Sequence, residues 1–207
     1  RLLTHQGFDE ILHGIHRLWQ RHAREGARLV VHRRLFQLRR HHLAEALEAL
    51  DLQSLIDETL ALNGSQLTKD DISFNFERVE NLPLVQGNAQ QLLQLFLNLL
   101  SNARYALNEK HRDDHAKKNL QITAETLANN FGEFVRVTVL DNGAGIPEEQ
   151  QAQVMKPFIT TKPVGQGTAL GLSICNDIVN KHGGVINIDS RQGEYTKILI
   201  DLPVATE

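Results

Sequence analysis

Residues 94–107 read Gln-Leu-Phe-Leu-Asn-Leu-Leu-Ser-Asn-Ala-Arg-Tyr-Ala-Leu, a strongly apolar run with helical spacing. Asn98 and Asn102 are four residues apart, so they share one face of the predicted helix. Two amides on an otherwise apolar helix are costly unless they have partners. They are either caps or core hydrogen bonds, or oxygen ligands for Mg²⁺ held through nucleotide phosphates, because Mg²⁺ takes only one or two protein oxygens.

A second informative segment, Asp141-Asn-Gly-Ala-Gly-Ile-Pro147, follows a predicted strand and precedes a helix start at 148–150. Any Asp-x-Gly-x-Gly sequence can form a tight strand-to-helix turn. Alternatively, a buried carboxylate at Asp141 would accept a hydrogen bond from an amino group such as that of adenine. Glycines at 143 and 145 would then let a flat ring approach the backbone.

A third segment, residues 156–172, reads Lys-Pro-Phe-Ile-Thr-Thr-Lys-Pro-Val-Gly-Gln-Gly-Thr-Ala-Leu-Gly-Leu and leads into a predicted helix. It is either a flexible surface loop or an anion site, because N–H groups and the dipole at a helix N-terminus attract phosphate. It lacks Gly-Lys-Ser/Thr, which excludes a P-loop NTPase.

In this order and spacing, the segments resemble the catalytic half of a sensor histidine kinase of the GHKL ATPase superfamily. The resemblance covers about residues 51–204, and residues 1–50 more loosely. The matching segments are Asn98–Ala103 (N box), Asp141–Ile146 (first glycine box), Lys156–Lys162 (F box) and Gly165–Leu172 (second glycine box). The short lid between Phe158 and Gly165 is similar to that of the nitrogen-regulation type of kinase.

The resemblance implies a site for ATP and Mg²⁺ under a mobile lid. It implies that Asn102 holds Mg²⁺, that Asn98 supports the phosphates and that Asp141 receives the adenine amino group. The other nucleotide-binding residues that it implies are Gly143, Gly145, Lys162, Gly165, Gly167, Thr168, Leu170, Gly171 and Thr196. Two residues depart from the family pattern, because Ala169 and Tyr195 stand where glycines are usual.

The patterning predicts two parts. Residues 1–50 contain no proline and carry two apolar helical stripes on either side of Gly26, one through Phe8, Ile15 and Leu18 and one from Val31 to Leu50. We expect a helical hairpin that forms a four-helix bundle in a homodimer, as a dimerisation and histidine-phosphotransfer segment. Residues 51–207 are expected to form the ATP-binding catalytic domain, an α+β sandwich in which a mixed sheet packs on helices.

A histidine kinase needs a phosphoacceptor histidine on its first bundle helix, and His5 is the best candidate among seven histidines in residues 1–50. Placing Phe8 and Ile15 at heptad position a puts His5 at e, beside the seam and accessible to solvent. Asp9 lies one turn away on the same face and would fix the imidazole tautomer. The expected catalytic set is therefore Asn102, which the resemblance implies, together with His5 and Asp9, which the helical register and spacing predict.

Composition limits the partners. The chain has 207 residues and a net charge of −3, which does not predict nucleic-acid binding. One cysteine fits a reducing compartment, and the apolar runs are shorter than the ~20 residues of a membrane span. We expect a cytoplasmic fragment without membrane contact, cut from a longer protein because residue 1 is Arg. The sequence leaves upstream membrane attachment open.

Three functions remain in contention. The first is ATP-dependent histidine autophosphorylation followed by transfer to an aspartate of a response-regulator receiver domain. The second is a degenerate nucleotide-binding dimeric scaffold without autokinase activity, suggested by the incomplete histidine box, Ala169 and Tyr195. The third is an ATP-hydrolysing relative, which would need a glutamate at the position of Asn98 and is therefore disfavoured.

Overall fold

The computed structural model describes residues 47–112, 118–129, 132–151, 153–155 and 171–206. The strands in these ranges are β1 Glu48–Leu50, β2 Ser73–Glu77, β3 Val85–Gly87, β4 Asn119–Asn129, β5 Gly132–Asp141, β6 Val185–Arg191 and β7 Tyr195–Pro203. The helices are α1 Leu52–Lys69, α2 Ala89–Lys110, α3 Glu148–Gln151 and α4 Gly171–Lys181. Within the same ranges, no helix has the length and apolar character that a membrane crossing requires.

Five of the strands form one mixed sheet in the order β2-β4-β5-β7-β6. β2 runs parallel to β4, whereas the β4–β5, β5–β7 and β6–β7 pairs are antiparallel. In the β4–β5 pair, Leu120 lies opposite Asp141 and Asn129 lies opposite Gly132. β1 and β3 form a separate antiparallel pair.

Side-chain caps set where the two long helices begin. The Asp51 carboxylate accepts hydrogen bonds from the N–H groups of Gln53 and Ser54 and is the N-cap of α1. The Asn88 side chain accepts from the Gln91 N–H and caps α2 in the same way. The caps fix the start of α2, and with it the helical positions of Asn98 and Asn102.

One face of the sheet, here called the inner face, carries the hydrophobic core. Alternate residues of the central strands point to it, as the period of two in β-strands requires. They join buried residues of α1, α2 and α4 in a single cluster whose members include Leu52, Leu92, Leu99, Val137, Val139, Val179, Ile198 and Ile200. The expected α+β sandwich is confirmed for this part of the chain.

The predicted second helical stripe is wrong at its end. Glu48 to Leu50 form β1 and pair with Gly87 to Val85 of β3, so the helix does not extend through Leu50. The Gln86 side chain also donates to the Leu47 carbonyl. Long-range pairing therefore outweighs local helical periodicity here. The predicted hairpin itself lies in residues 1–46, outside the described residues.

Candidate functional site

A polar row closes the inner face of the sheet. Asp141 on β5 is the cross-strand neighbour of Thr196 on β7, and Thr196 is the neighbour of Ser190 on β6. The adjacent row is aliphatic, because Val139 and Ile198 occupy it. Asp141 and Thr196 are both buried, so this edge of the core contains polar side chains that need hydrogen-bond partners.

Asp141 is a buried carboxyl with unused acceptor capacity. It is 5% exposed, and its Oδ1 accepts a hydrogen bond from the Gly143 N–H at 2.9 Å. Burial raises the pKa of Asp141 to about 7, while the Gly143 hydrogen bond and the charge of Lys110 lower it by smaller amounts. Within the described ranges it forms no salt bridge. An amino group of a ligand would satisfy this carboxylate.

The raised pKa of Asp141 predicts a pH-dependent stability. The stabilisation linked to the neutral carboxyl is complete below the unfolded pKa of 3.8 and is lost as pH rises through the folded pKa of about 7. Asp141→Asn stays neutral, so its advantage over the wild type should grow by about 2–3 kcal/mol between pH 5 and pH 8. Urea unfolding of both proteins at the two pH values measures this, and parallel pH profiles would contradict it.

The two glycines that follow Asp141 are required by close backbone contacts. A Cβ at Gly143 would lie 2.6 Å from the Ala106 carbonyl carbon of α2. Gly145 has a φ of +67°, and a Cβ there would lie 2.1 Å from the Arg191 carbonyl oxygen. The loop after β5 is therefore held between α2 and the β6–β7 hairpin, and only glycine fits at both points.

Hydrogen bonds from the end of α2 reinforce this loop. The Ala144 N–H donates to the Ala106 carbonyl at 3.1 Å. The Lys110 ammonium donates to the carbonyls of Asn142 at 2.8 Å and Glu194 at 3.0 Å. The helix that carries both asparagines thus also fixes the loop that carries both glycines.

The two asparagines of α2 lie beside the start of α4. A Cβ at Gly171 would lie 3.3 Å from Nδ2 and 3.4 Å from Oδ1 of Asn102. Asn98 lies next to the Cys175 thiol, whose pKa it lowers against the larger effect of burial. The buried Nδ2 of Asn98 makes no hydrogen bond of normal geometry within the described ranges. Burial raises the pKa of Cys175 to about 12, so the thiol is neutral. The Asn98 amide can donate to a phosphate oxygen, and the absence of a side chain at Gly171 leaves room for a ligand beside Asn102.

Tyr195, one of the departures from the expected glycine pattern, does not occupy the polar row. Strand alternation places its side chain on the face opposite Thr196. There its hydroxyl donates to the exposed Asp189 carboxylate at 2.8 Å, and this hydrogen bond raises the pKa of Tyr195. The tyrosine therefore leaves the space beside Asp141 unchanged.

The structure brings the described members of the predicted site into two neighbouring groups. The first group is Asp141, Gly143, Gly145 and Thr196, and the second is Asn98, Asn102 and Gly171. They are joined through α2, where Ala106 lies one turn after Asn102. The other predicted site residues lie outside the described residues; they are His5, Asp9, Lys162, Gly165, Gly167, Thr168 and Leu170.

Three contributors were missed by sequence reasoning: Lys110, Gln151 and Ser190. The first two act through hydrogen bonds to backbone carbonyls, and no spacing rule predicts such bonds across the fold. Ser190 had a detectable signal. It has the same strand parity as Ile186 and Ile188, so it is a polar residue at an inner-face position.

Comparison with known proteins gives consistent matches. Residues 87–206 match the family described as histidine kinase-, DNA gyrase B-, and HSP90-like ATPase. Sensor histidine kinase ZraS of Escherichia coli K12 is 34% identical over 191 residues, which are 91% of this chain and 38% of ZraS. Sporulation kinase A of Bacillus subtilis is 33% identical over 156 residues, which are 75% of this chain and 24% of the kinase. The chain thus spans less than two-fifths of either relative.

Solved structures agree with these matches. The nucleotide-free catalytic domain of histidine kinase ThkA has a TM-score of 0.64 and 31% identity, over 77% of this chain and 99% of that one. Full-length ShkA, solved in complex with AMPPNP, has a TM-score of 0.65 and covers 78% of this chain and 32% of that one. At 22% identity it supports the fold alone.

Proposed function

The chain belongs to the histidine kinase-, DNA gyrase B- and HSP90-like ATPase family, and from this premise we propose that it acts as the ATP-binding part of a sensor histidine kinase. It binds ATP with Mg²⁺, phosphorylates a histidine of its own dimer and passes the phosphoryl group to an aspartate of a response-regulator receiver domain. The observation that carries the proposal is the buried Asp141 carboxyl in a polar row beside glycines that exclude any Cβ.

Adenine would enter at the polar row. Asp141 accepts from the exocyclic amino group, and Thr196 lies beside it on the neighbouring strand. Gly143 and Gly145 keep the loop backbone close enough for a flat ring to reach the carboxylate. A neutral carboxyl would have to lose its proton to act as a full acceptor, so binding should favour the ionised form.

The phosphates would lie toward the second group of residues. The unused Nδ2 of Asn98 donates to a phosphate oxygen, and the Asn102 amide oxygen is suited to Mg²⁺ that also binds the phosphates. Gly171 leaves the approach to Asn102 free of a side chain. The remaining residues proposed along the triphosphate are Lys162, Gly165, Gly167, Thr168 and Leu170. Bound Mg²⁺ would neutralise charge that develops on the phosphoryl oxygens.

Phosphoryl transfer requires a neutral imidazole. One ring nitrogen of His5 attacks the γ-phosphorus, and the bond from that phosphorus to the bridging oxygen breaks with its electron pair leaving on ADP. Asp9 accepts the N–H of the other ring nitrogen and stabilises the positive charge that develops. An aspartate oxygen of the receiver then attacks the phosphorus, and the nitrogen–phosphorus bond breaks.

The experiment that tests this function is incubation of the chain with γ-labelled ATP and Mg²⁺. We expect label that is lost in acid and retained in base, as phosphohistidine requires. Label stable to acid would contradict a phosphohistidine. A chain that binds ADP but takes no label would support the scaffold alternative instead.

We predict that His5 is the residue that takes the label. His5→Gln should abolish labelling, whereas His13→Gln and His16→Gln should retain it, because these two fall further from the heptad seam. ADP affinity should be equal in all three variants. Loss of label in His13→Gln alone would move the acceptor to that residue while leaving the kinase function intact.

We also predict a homodimer formed through residues 1–50. The two apolar stripes would otherwise expose a larger patch than a soluble monomer normally carries. Light scattering at micromolar concentration should give twice the chain mass, and Ile15→Glu should shift it to the monomer. Leu62→Glu, at a position on α1 that is 59% exposed, is the matched control and should stay dimeric. A monomeric wild type would refute the interface.

A further inference from the structure

Ser190 lies at the end of the polar row and contacts three other residues of the site, which belong to two segments. Its hydroxyl oxygen accepts a hydrogen bond from the Ile146 N–H at 2.9 Å. The same hydroxyl lies 2.7 Å from the Tyr195 carbonyl oxygen and 3.4 Å from Thr196 Oγ1. Ser190 thus connects the loop after β5 with the start of β7.

A serine hydroxyl has a single proton, and the geometry decides where that proton goes. The 2.7 Å contact with the Tyr195 carbonyl is a normal O–H···O distance, and a carbonyl can only accept. The Ser190 proton is therefore directed to Tyr195. Toward Thr196, at 3.4 Å, Ser190 can act only as an acceptor.

This arrangement leaves one role for the Thr196 hydroxyl at its contact with Ser190. Because the Ser190 proton is directed to the Tyr195 carbonyl, Thr196 is the available donor across the 3.4 Å separation, and its lone pairs remain for a ligand. Thr196 lies between Ser190 and Asp141 in the row, so the Thr196 hydroxyl and the Asp141 carboxylate are acceptors on neighbouring strands. When Asp141 is ionised, two neighbouring acceptors complement an amino group, which has two N–H donors, and they repel a carbonyl oxygen.

We propose that Ser190 is a positioning residue that holds the Thr196 hydroxyl as an acceptor and thereby selects adenine over purines with an oxo group at the same ring position. The inference rests on the proposed adenine site and adds a determinant of base specificity to it. Without the Ser190 hydroxyl, Thr196 is free to turn its proton toward the ligand, and an oxo group is tolerated.

Gln151 on α3 provides a matched control. Its Nε2 donates to the Ile146 carbonyl at 3.0 Å and to the Ser190 carbonyl at 2.7 Å. Gln151 therefore links the loop after β5 to β6, the strand that carries Ser190. Within the described residues, neither of these hydrogen bonds involves Thr196. A variant at Gln151 loosens the loop without releasing the Thr196 hydroxyl.

The test compares the affinities of the full chain for ADP and inosine diphosphate. Their bases carry an amino and an oxo group at the same ring carbon, and the adjacent ring nitrogen bears a proton only in the oxo base. Isothermal calorimetry with wild-type protein at pH 8, where Asp141 is ionised, should show a preference for ADP. In Ser190→Ala this preference should fall about tenfold, because the hydrogen bond from the Thr196 hydroxyl no longer distinguishes the amino group from the oxo group. In Gln151→Leu both affinities should fall by the same factor, and Ser190→Thr, which keeps a hydroxyl, should retain the preference.

Each outcome bears on a defined claim. An unchanged ADP preference in Ser190→Ala, with ADP still bound, overturns the inference and leaves the proposed function standing. If Ser190→Ala does not fold, Ser190→Cys fills the same space with a weak acceptor and must show the same fall. A wild-type chain that binds neither nucleotide overturns the proposed adenine site, and the inference with it.

Discussion

Asp141→Asn is expected to lower the affinity for ADP by about tenfold to more than a hundredfold at pH 8, where the wild-type carboxyl is ionised. The amide still accepts a hydrogen bond through its oxygen, but the charge assistance, about 1.5–3 kcal/mol, is lost. The buried setting makes this loss large, because few water molecules reach a group that is 5% exposed. Calorimetric titration with ADP measures the change.

The matched control for this variant is Asp189→Asn. Asp189 lies one residue before Ser190, but its side chain is exposed on the opposite face and bonds Tyr195. The Asp189→Asn substitution removes a carboxylate from the same part of the sheet but leaves the polar row intact. We therefore expect its ADP affinity to equal that of the wild type. Equal affinities of Asp141→Asn and wild type would exclude Asp141 from nucleotide binding.

Asn102→Ala is expected to leave ADP binding largely intact but to reduce autophosphorylation by a factor on the order of a hundred or more, since transfer depends on Mg²⁺ and positioning. The adenine end does not involve Asn102, so the base contacts remain. The dependence of nucleotide affinity on Mg²⁺ should weaken at the same time. Labelled ATP measures the transfer, and ADP titration with and without Mg²⁺ measures the coupling.

The control for Asn102 is Asn180→Ala. Asn180 is an exposed asparagine near the end of α4, hydrogen-bonded to Asn176 rather than to the site. Its loss should alter neither labelling nor Mg²⁺ dependence. Wild-type labelling by Asn102→Ala would show that the α2 asparagine face has a structural role only.

The central part of the fold was predictable from sequence because its signals are local. The alternation of side chains on the two faces in residues 134–140 indicates a strand, and the apolar run that ends at Leu107 indicates a helix. Each pattern can be read within one element that packs against the core. β1 was not predictable, because these three residues form a strand only through pairing with β3, which lies more than 30 residues further along the chain. Local pattern at Leu47 and Leu50 favours helix, and only the tertiary contact reverses it.

Within the candidate site, the glycines and asparagines were identified because three segments, each with an ordinary structural explanation of its own, together resemble a known family in order and spacing. The reason for Gly145 differs from the one expected, since the nearby Arg191 carbonyl requires glycine independently of any ligand. Lys110 could not be assigned from sequence, because a lysine in the last turn of a helix is normally a solvated charge. Its role follows from two carbonyls contributed by separate segments.

The bracing of the Asp141–Gly145 loop by α2 bears on the entropy of binding. Ala144 donates to α2 and accepts from the Gly193 N–H at 2.7 Å, so both of its backbone groups are committed before any ligand arrives. Conformational freedom lost at this loop is therefore lost on folding and not on association. The Asp141–Gly145 loop is therefore preorganised for a ligand that binds here. Differences in affinity among purines should reflect their contacts with the site rather than the entropy of ordering the loop.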